Sequence, residues 1–208
     1  MNLYNKLLVV SLFIVSVILL NSCNSCKSNK VSNQAISISE PSYKQISPNF
    51  NSDSAFFYIK KQVDFGPRVP NSAAHLECGN YLVSKLKDFG ADVIEQKVVL
   101  KTYDGVSLNA RNIIGVYNPD QEKRILLFAH WDTRPFADQA KDKSKQTQPI
   151  LGANDGASGV GVLLEIARQL NETPVDIGVD IVLFDAEDWG QPSFESNQVP
   201  GDWWCLGS

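Results

Sequence analysis

Two apolar runs, RILLFAH at residues 124–130 and VDIVLFD at 179–185, flank the segment GVGVLLEIARQL at 159–170. The outer runs have the length and composition of strands. The middle one puts Val160, Leu163, Leu164, Ala167 and Leu170 on one helical stripe. Such alternation limits the chain to folds that pack helices on a sheet. The same alternation extends upstream. SAFFYIKKQVDFGPR, from Ser54, places Phe56, Ile59, Lys60 and Val63 at helical spacing, and Gly66-Pro67 ends it. Asn71 or Ser72 caps a second predicted helix whose apolar face is Leu76, Leu82, Val83, Leu86 and Phe89, with Gly90 at its C-terminus. DVIEQKVVL, a turn at Asp104-Gly105, and ARNIIGVY supply two more strands. The expected fold class is therefore α/β, with a mixed sheet covered on both faces as a three-layer sandwich.

Composition removes some functions. The net charge of −4 provides no basic surface for nucleic acid, and 43% apolar with 20% charged residues is ordinary for a globular chain.

The first 22 residues read as a targeting segment: a lysine in MNLYNK, the apolar run 7–20, and a small-residue close before Cys23. Leu20-Asn21-Ser22-Cys23 resembles a bacterial lipoprotein signal, which would make Cys23 the lipidated first residue of the mature chain. Residues 23–50 are rich in Ser, Asn and Lys and are expected to be a tether. A domain from 51 to 208 on that leash would work in the bacterial cell envelope, anchored to a membrane and facing the periplasm or exterior. Cys78 and Cys205 are available to pair in such a compartment, or to remain thiols.

In open α/β sheets ligands gather beyond the carboxyl ends of strands. RILLFAH ends in His130, with Asp132 beyond it. VDIVLFD ends in Asp185, with Glu187 and Asp188 beyond. Asp155 lies in the glycine-bracketed loop LGANDGASGV before a helix. Singly, each has a plain explanation; Asp155 in particular is a natural helix cap. Together they crowd carboxylates that raise one another's pKa until a cation or proton sits between them. Histidine and carboxylates around an open position are what catalytic zinc uses.

AHWDTRP, GANDGASGVGVLLEIAR and IVLFDAEDWG resemble the three active-site blocks of the zinc aminopeptidase superfamily. Within it, from FGPRVP at residue 65 through NII at 112, the chain is most similar to bacterial glutaminyl cyclases. Three details favour the cyclase over the peptidase: Trp131 between His130 and Asp132, Asp rather than Glu at 188, and the long stretch WGQPSFESNQVPGDWWCLGS.

The resemblance implies a zinc aminopeptidase-like, mostly parallel sheet and one zinc on Asp155 and Asp188. Glu187 would carry the proton, His130 and Asp132 would support the ligands, and Trp131 and Trp189 would be available to line a pocket. The substrates implied are peptides or exported proteins with N-terminal glutamine, cyclised to pyroglutamate with release of ammonia. The alternatives are a di-zinc aminopeptidase, in which His130 holds a second metal, and an inactive envelope binding protein. The superfamily completes its zinc site with a histidine from a later block. The chain has two histidines, and His75 falls in the wrong block. The sequence is therefore expected to be the N-terminal portion of a longer enzyme, truncated at the C-terminus.

Overall fold

A computed structural model describes residues 47–208. The targeting segment, Cys23 and most of the expected tether lie outside the described residues. Among them no helix is long and apolar enough to cross a membrane.

Helix α1 (Ser52–Asp64) is capped by the Asn51 side chain, which accepts from the Ser54 N–H at 3.0 Å. It is followed by α2 (Ala73–Asp88), β1 (Asp92–Lys101), β2 (Ser107–Tyr117), β3 (Arg124–His130), a short 3-10 turn at Lys143–Lys145, α3 (Ala157–Glu172) and β4 (Gly178–Phe184). Ser72 supplies the α2 cap, its hydroxyl accepting from the His75 N–H at 3.1 Å. The other candidate, Asn71, takes a left-handed φ of 73° and bridges instead to β2, accepting from the Asn109 N–H at 2.9 Å and donating to the Ser107 carbonyl at 2.9 Å.

The strands form one mixed sheet in the order β1-β2-β4-β3. β1–β2 and β2–β4 are antiparallel and β3–β4 is parallel. The parallel majority expected is thus absent among the described strands. The turn at 102–106 joins β1 to β2 too tightly for anything but a hairpin. The parallel pair spans α3, a connection long enough to cross over the sheet.

All three helices lie on one face. Leu82, Leu86, Ile113, Leu164, Ile181 and Leu183 are fully buried there, and Leu127 and Ala129 pack against them from β3. On the other face Leu126 and Phe128 stand 55% and 64% exposed, so the second covering layer expected is not among the described residues. α1 docks on α3 by close approach at Gly161, where a Cβ would sit 2.5 Å from Ile59 Cγ1.

Two predicted helix faces are corrected. Phe56 is exposed because α1 turns Ala55, Tyr58 and Gln62 inward, and Gln62 Nε2 donates to the Ala157 carbonyl at 3.1 Å. Leu76 is likewise exposed, while His75 and Cys78 beside it are buried. In both cases a polar side chain with a specific partner took the inward position. Cys78 and Cys205 are separate free thiols, one buried in the core and the other exposed.

Candidate active site

β3 and β4 run side by side in a register that pairs His130 with Phe184. One further bond, Trp131 N–H to the Phe184 carbonyl at 2.9 Å, carries the ladder past the strand ends. Residues 130–134 and 185–190 therefore leave the sheet at one edge. The Asp155 loop joins them. Gly156 has φ +92, and a Cβ on it would meet the Asp132 carbonyl at 2.7 Å, so only glycine lets the loops approach this closely.

Asp132 is fully buried and holds the acidic loop by its backbone: its two oxygens accept the Glu187 and Asp188 N–H groups, each at 3.2 Å. His130 Nε2 lies 2.9 Å from Asp155 Oδ1, and Nδ1 lies 3.4 Å from Asp132 Oδ1 and 3.6 Å from Glu187 Oε2. The helix-cap role for Asp155 falls away. The cap position of α3 is Gly156, with no side-chain hydrogen bond, and the Asp155 carboxylate turns to His130.

Asp132, Asp155, Glu187 and Asp188 thus surround His130 and one guanidinium, Arg134. That arginine is already engaged with Asp138 at 2.8 and 2.9 Å and reaches Asp188 Oδ1 at 3.4 Å. The charge imbalance shows in the titration. Burial, and then Asp155, push the Asp188 carboxyl up to about 7 against the pull of Arg134. Burial works against a charged His130, but Asp132, Glu187 and Asp155 outweigh it and hold the imidazolium up to about 9. Arg134 holds Asp138 down at about 2, chiefly by its hydrogen bonds.

One oxygen at the centre has no partner: Asp188 Oδ2 is buried and makes no hydrogen bond. A buried carboxylate oxygen left bare among other carboxylates is a cation-binding feature. Asp155 and Asp188 are suited to a hard or borderline metal. Among the described residues, however, no group of three His, Cys, Asp or Glu side chains is placed to hold one.

Every site residue expected within the domain, except the two tryptophans, meets at this edge. Trp131 is fully buried, stacked on the His75 ring at 4.3 Å, and Trp189 packs beside Leu108, Ala110 and Ala186. Trp131 borders a groove of about 550 Å³ with His75, Leu76, Val99 and Arg111, none of which is a carboxylate of the site. The indole open to solvent beside the site is Trp204, 46% exposed over the Arg134 guanidinium at 4.5 Å.

Three supports went unread in the sequence. His75 Nε2 bonds both oxygens of Asp185 at 2.9 Å. Fully buried Arg68 donates to the Trp131, Leu151 and Gly152 carbonyls at 3.1, 2.7 and 2.8 Å, tying the His130 loop to the Asp155 loop. Arg134 links Asp138 to Asp188. The four-residue spacing of Arg134 and Asp138 was a usable signal; nothing local marked the partners of Arg68 or His75.

Comparison with known proteins gives this geometry relatives. Residues 112–208 match Peptidase family M28. The structure superimposes on the Bacteroides thetaiotaomicron glutaminyl cyclase with a TM-score of 0.76 and 57% identity, over 77% of this chain and 55% of that one. A Zn-dependent exopeptidase from Parabacteroides distasonis aligns with a TM-score of 0.75, also at 57% identity and the same coverage. Aminopeptidase YwaD of Bacillus subtilis is 31% identical over 128 residues, 60% of this chain and 25% of that protein. The chain spans about a quarter of the curated aminopeptidase and just over half of the two solved structures.

Proposed function

From a chain whose residues 112–208 carry a Peptidase family M28 segment on the fold of the bacterial glutaminyl cyclases, we propose a zinc-dependent glutaminyl-peptide cyclotransferase acting on N-terminal glutamine. The observation that carries the reading is the bare, buried Asp188 Oδ2 within a ring of carboxylates, one of which, Glu187, stays partly open to solvent. Asp155 and Asp188 would hold one zinc, which when bound polarises the substrate γ-carbonyl as a Lewis acid.

The chemistry left to the chain is a proton transfer within one substrate. The α-amine nitrogen forms a bond to the γ-carbonyl carbon, the carbon–nitrogen bond of the side-chain amide breaks, and ammonia leaves. Glu187 takes the proton from the amine and returns it to the departing nitrogen. Asp132 accepts from the Glu187 and Asp188 N–H groups and so holds the backbone that presents both carboxylates. Because nucleophile and electrophile belong to one residue, the site mainly folds the substrate and excludes water.

Identity is the same 57% to the cyclase and to the exopeptidase, so Asp at 188 and the long segment 189–208 are what support this reading over the peptidase. A second reading, a di-zinc aminopeptidase in which His130 would hold a second metal, is favoured by His130 lying against Asp155. The N-terminal pattern ending at Cys23 supports a lipid-anchored envelope protein, with exported peptides as substrates.

The test is mass spectrometry of a glutamine-initiated peptide incubated with the full-length, zinc-loaded protein. Loss of one ammonia is the expected result. Loss of the whole first residue would establish the aminopeptidase, and an unchanged peptide would favour a binding protein.

A further inference from the structure

We infer that Cys205 is a positioning residue for Glu187, its thiol fixing one carboxylate oxygen while His130 borders the other; this rests on Glu187 as the proton carrier. Cys205 Sγ donates to Glu187 Oε1 at 3.3 Å, and the Cys205 N–H donates to the Glu187 carbonyl at 2.9 Å. Glu187 Oε2 lies 3.6 Å from His130 Nδ1. The carboxylate is thus bracketed, one oxygen on each side.

The thiol is not a chance neighbour. Residues 203–208 lie along the acidic loop in the opposite direction. Trp204 covers Arg134 and fits against Gly190, where any side chain would overlap its ring. The Gly207 carbonyl accepts from Asn112 Nδ2 at 2.6 Å, and a Cβ on Gly207 would overlap the Asp185 carbonyl. Cys205 sits between these anchors with a φ of 54°, a left-handed conformation that a non-glycine residue keeps only when its surroundings hold it there.

The thiol supplies a hydrogen-bond donor at this position, which is all that aiming one carboxylate oxygen requires. The Glu187 hydrogen bond, then burial, push the Cys205 thiol up from its usual range, so it stays the protonated donor.

The experiment compares C205A and C205S with wild type, all full-length and zinc-loaded. Losing a hydrogen bond of this class lowers kcat for ammonia release about three- to tenfold in C205A, with KM unmoved. C205S, which keeps an O–H donor, recovers most of that loss. A C205A kcat equal to wild type, or a loss confined to KM, overturns the inference and leaves the cyclase reading standing.

A second measurement does not use catalysis. The rate of Cys205 alkylation by iodoacetamide, located by peptide mass spectrometry, is expected to rise at least about threefold in E187Q, because the neighbouring anion no longer holds the thiol protonated. An unchanged rate overturns the inference. Should wild type release no ammonia, the cyclase reading fails, and the alkylation rates still decide whether Cys205 is bound to Glu187.

Discussion

His75 and His130 each meet a carboxylate at 2.9 Å, and the two pairs are finished differently. Around His75 every acceptor is used. Asp185, fully buried, takes the imidazole on both oxygens and also the Arg111 and Ala186 N–H groups at 2.7 Å each. Around His130 the acceptors outnumber the donors. Four carboxylates share one imidazole and an arginine already committed to Asp138, and Asp188 Oδ2 is left bare. The closed pair is built as scaffold, and the open cluster is the one suited to the proposed chemistry. They are physically joined: Trp131, stacked on His75, lies between His130 and Asp132, and Asp185 begins the loop that carries Glu187 and Asp188.

The sharpest way to separate the two regions is to alter one acid in each. Glu187→Gln, in the open cluster, should lower kcat about 10²–10⁴-fold while leaving thermal stability nearly unchanged, as steady-state kinetics and calorimetry would show. Asp185→Asn should do the reverse. It leaves a buried imidazole and one or more N–H groups short of an acceptor, so urea unfolding should show a loss of about 2–4 kcal/mol. Zinc affinity of the remaining folded protein should hardly move. A large kinetic effect from Asp185 at unchanged stability would break the division between scaffold and site.

His130→Gln is the next smaller effect. The side chain borders Asp155 without being one of the two proposed ligands, so zinc affinity measured by chelator competition should weaken about 10–100-fold. Loss of a second equivalent of bound metal would favour the aminopeptidase reading instead.

The smallest effect lies in pH. In the metal-free protein Asp188 is raised from 3.8 to about 7, so its favourable contribution is complete below 3.8 and is lost as pH rises through about 7. His130 is raised from 6.5 to about 9, so its contribution is complete below 6.5 and is lost as pH rises through about 9. Both slopes have the same sign. The melting temperature with chelator present should fall from acid toward alkaline pH, and Asp188→Asn should flatten the lower part of that fall. No such dependence should trace to Asp138, whose carboxyl Arg134 keeps ionised down to about 2.

Much of the architecture was legible along the chain. The β3 run coincides with its predicted residues, the Asp104-Gly105 turn and the Ser72 cap are in place, and Val160, Leu163, Leu164 and Ala167 form the buried stripe of α3. Those features depend on local propensity and on the period of the apolar residues. His130, Asp132, Asp155, Glu187 and Asp188 were legible as one site because strand ends in such a sheet share an edge.

What failed was any judgement that needed a distant partner. Phe56 fits a helical stripe, yet it faces solvent because Gln62 found the Ala157 carbonyl. His75, excluded only as a zinc ligand, anchors Asp185 across 110 positions of sequence, a role nothing local marks. Arg68 bonds carbonyls more than sixty residues away, and Cys205 reaches Glu187 only because residues 203–208 fold back along the acidic loop.

The sequence by itself determined the order of the elements, the edge at which the polar residues gather, and the kind of chemistry those residues suit. Only the tertiary structure decided which carboxylate is satisfied and which is left bare. That depends on hydrogen-bond partners supplied by segments remote along the chain, and periodicity carries no information about them.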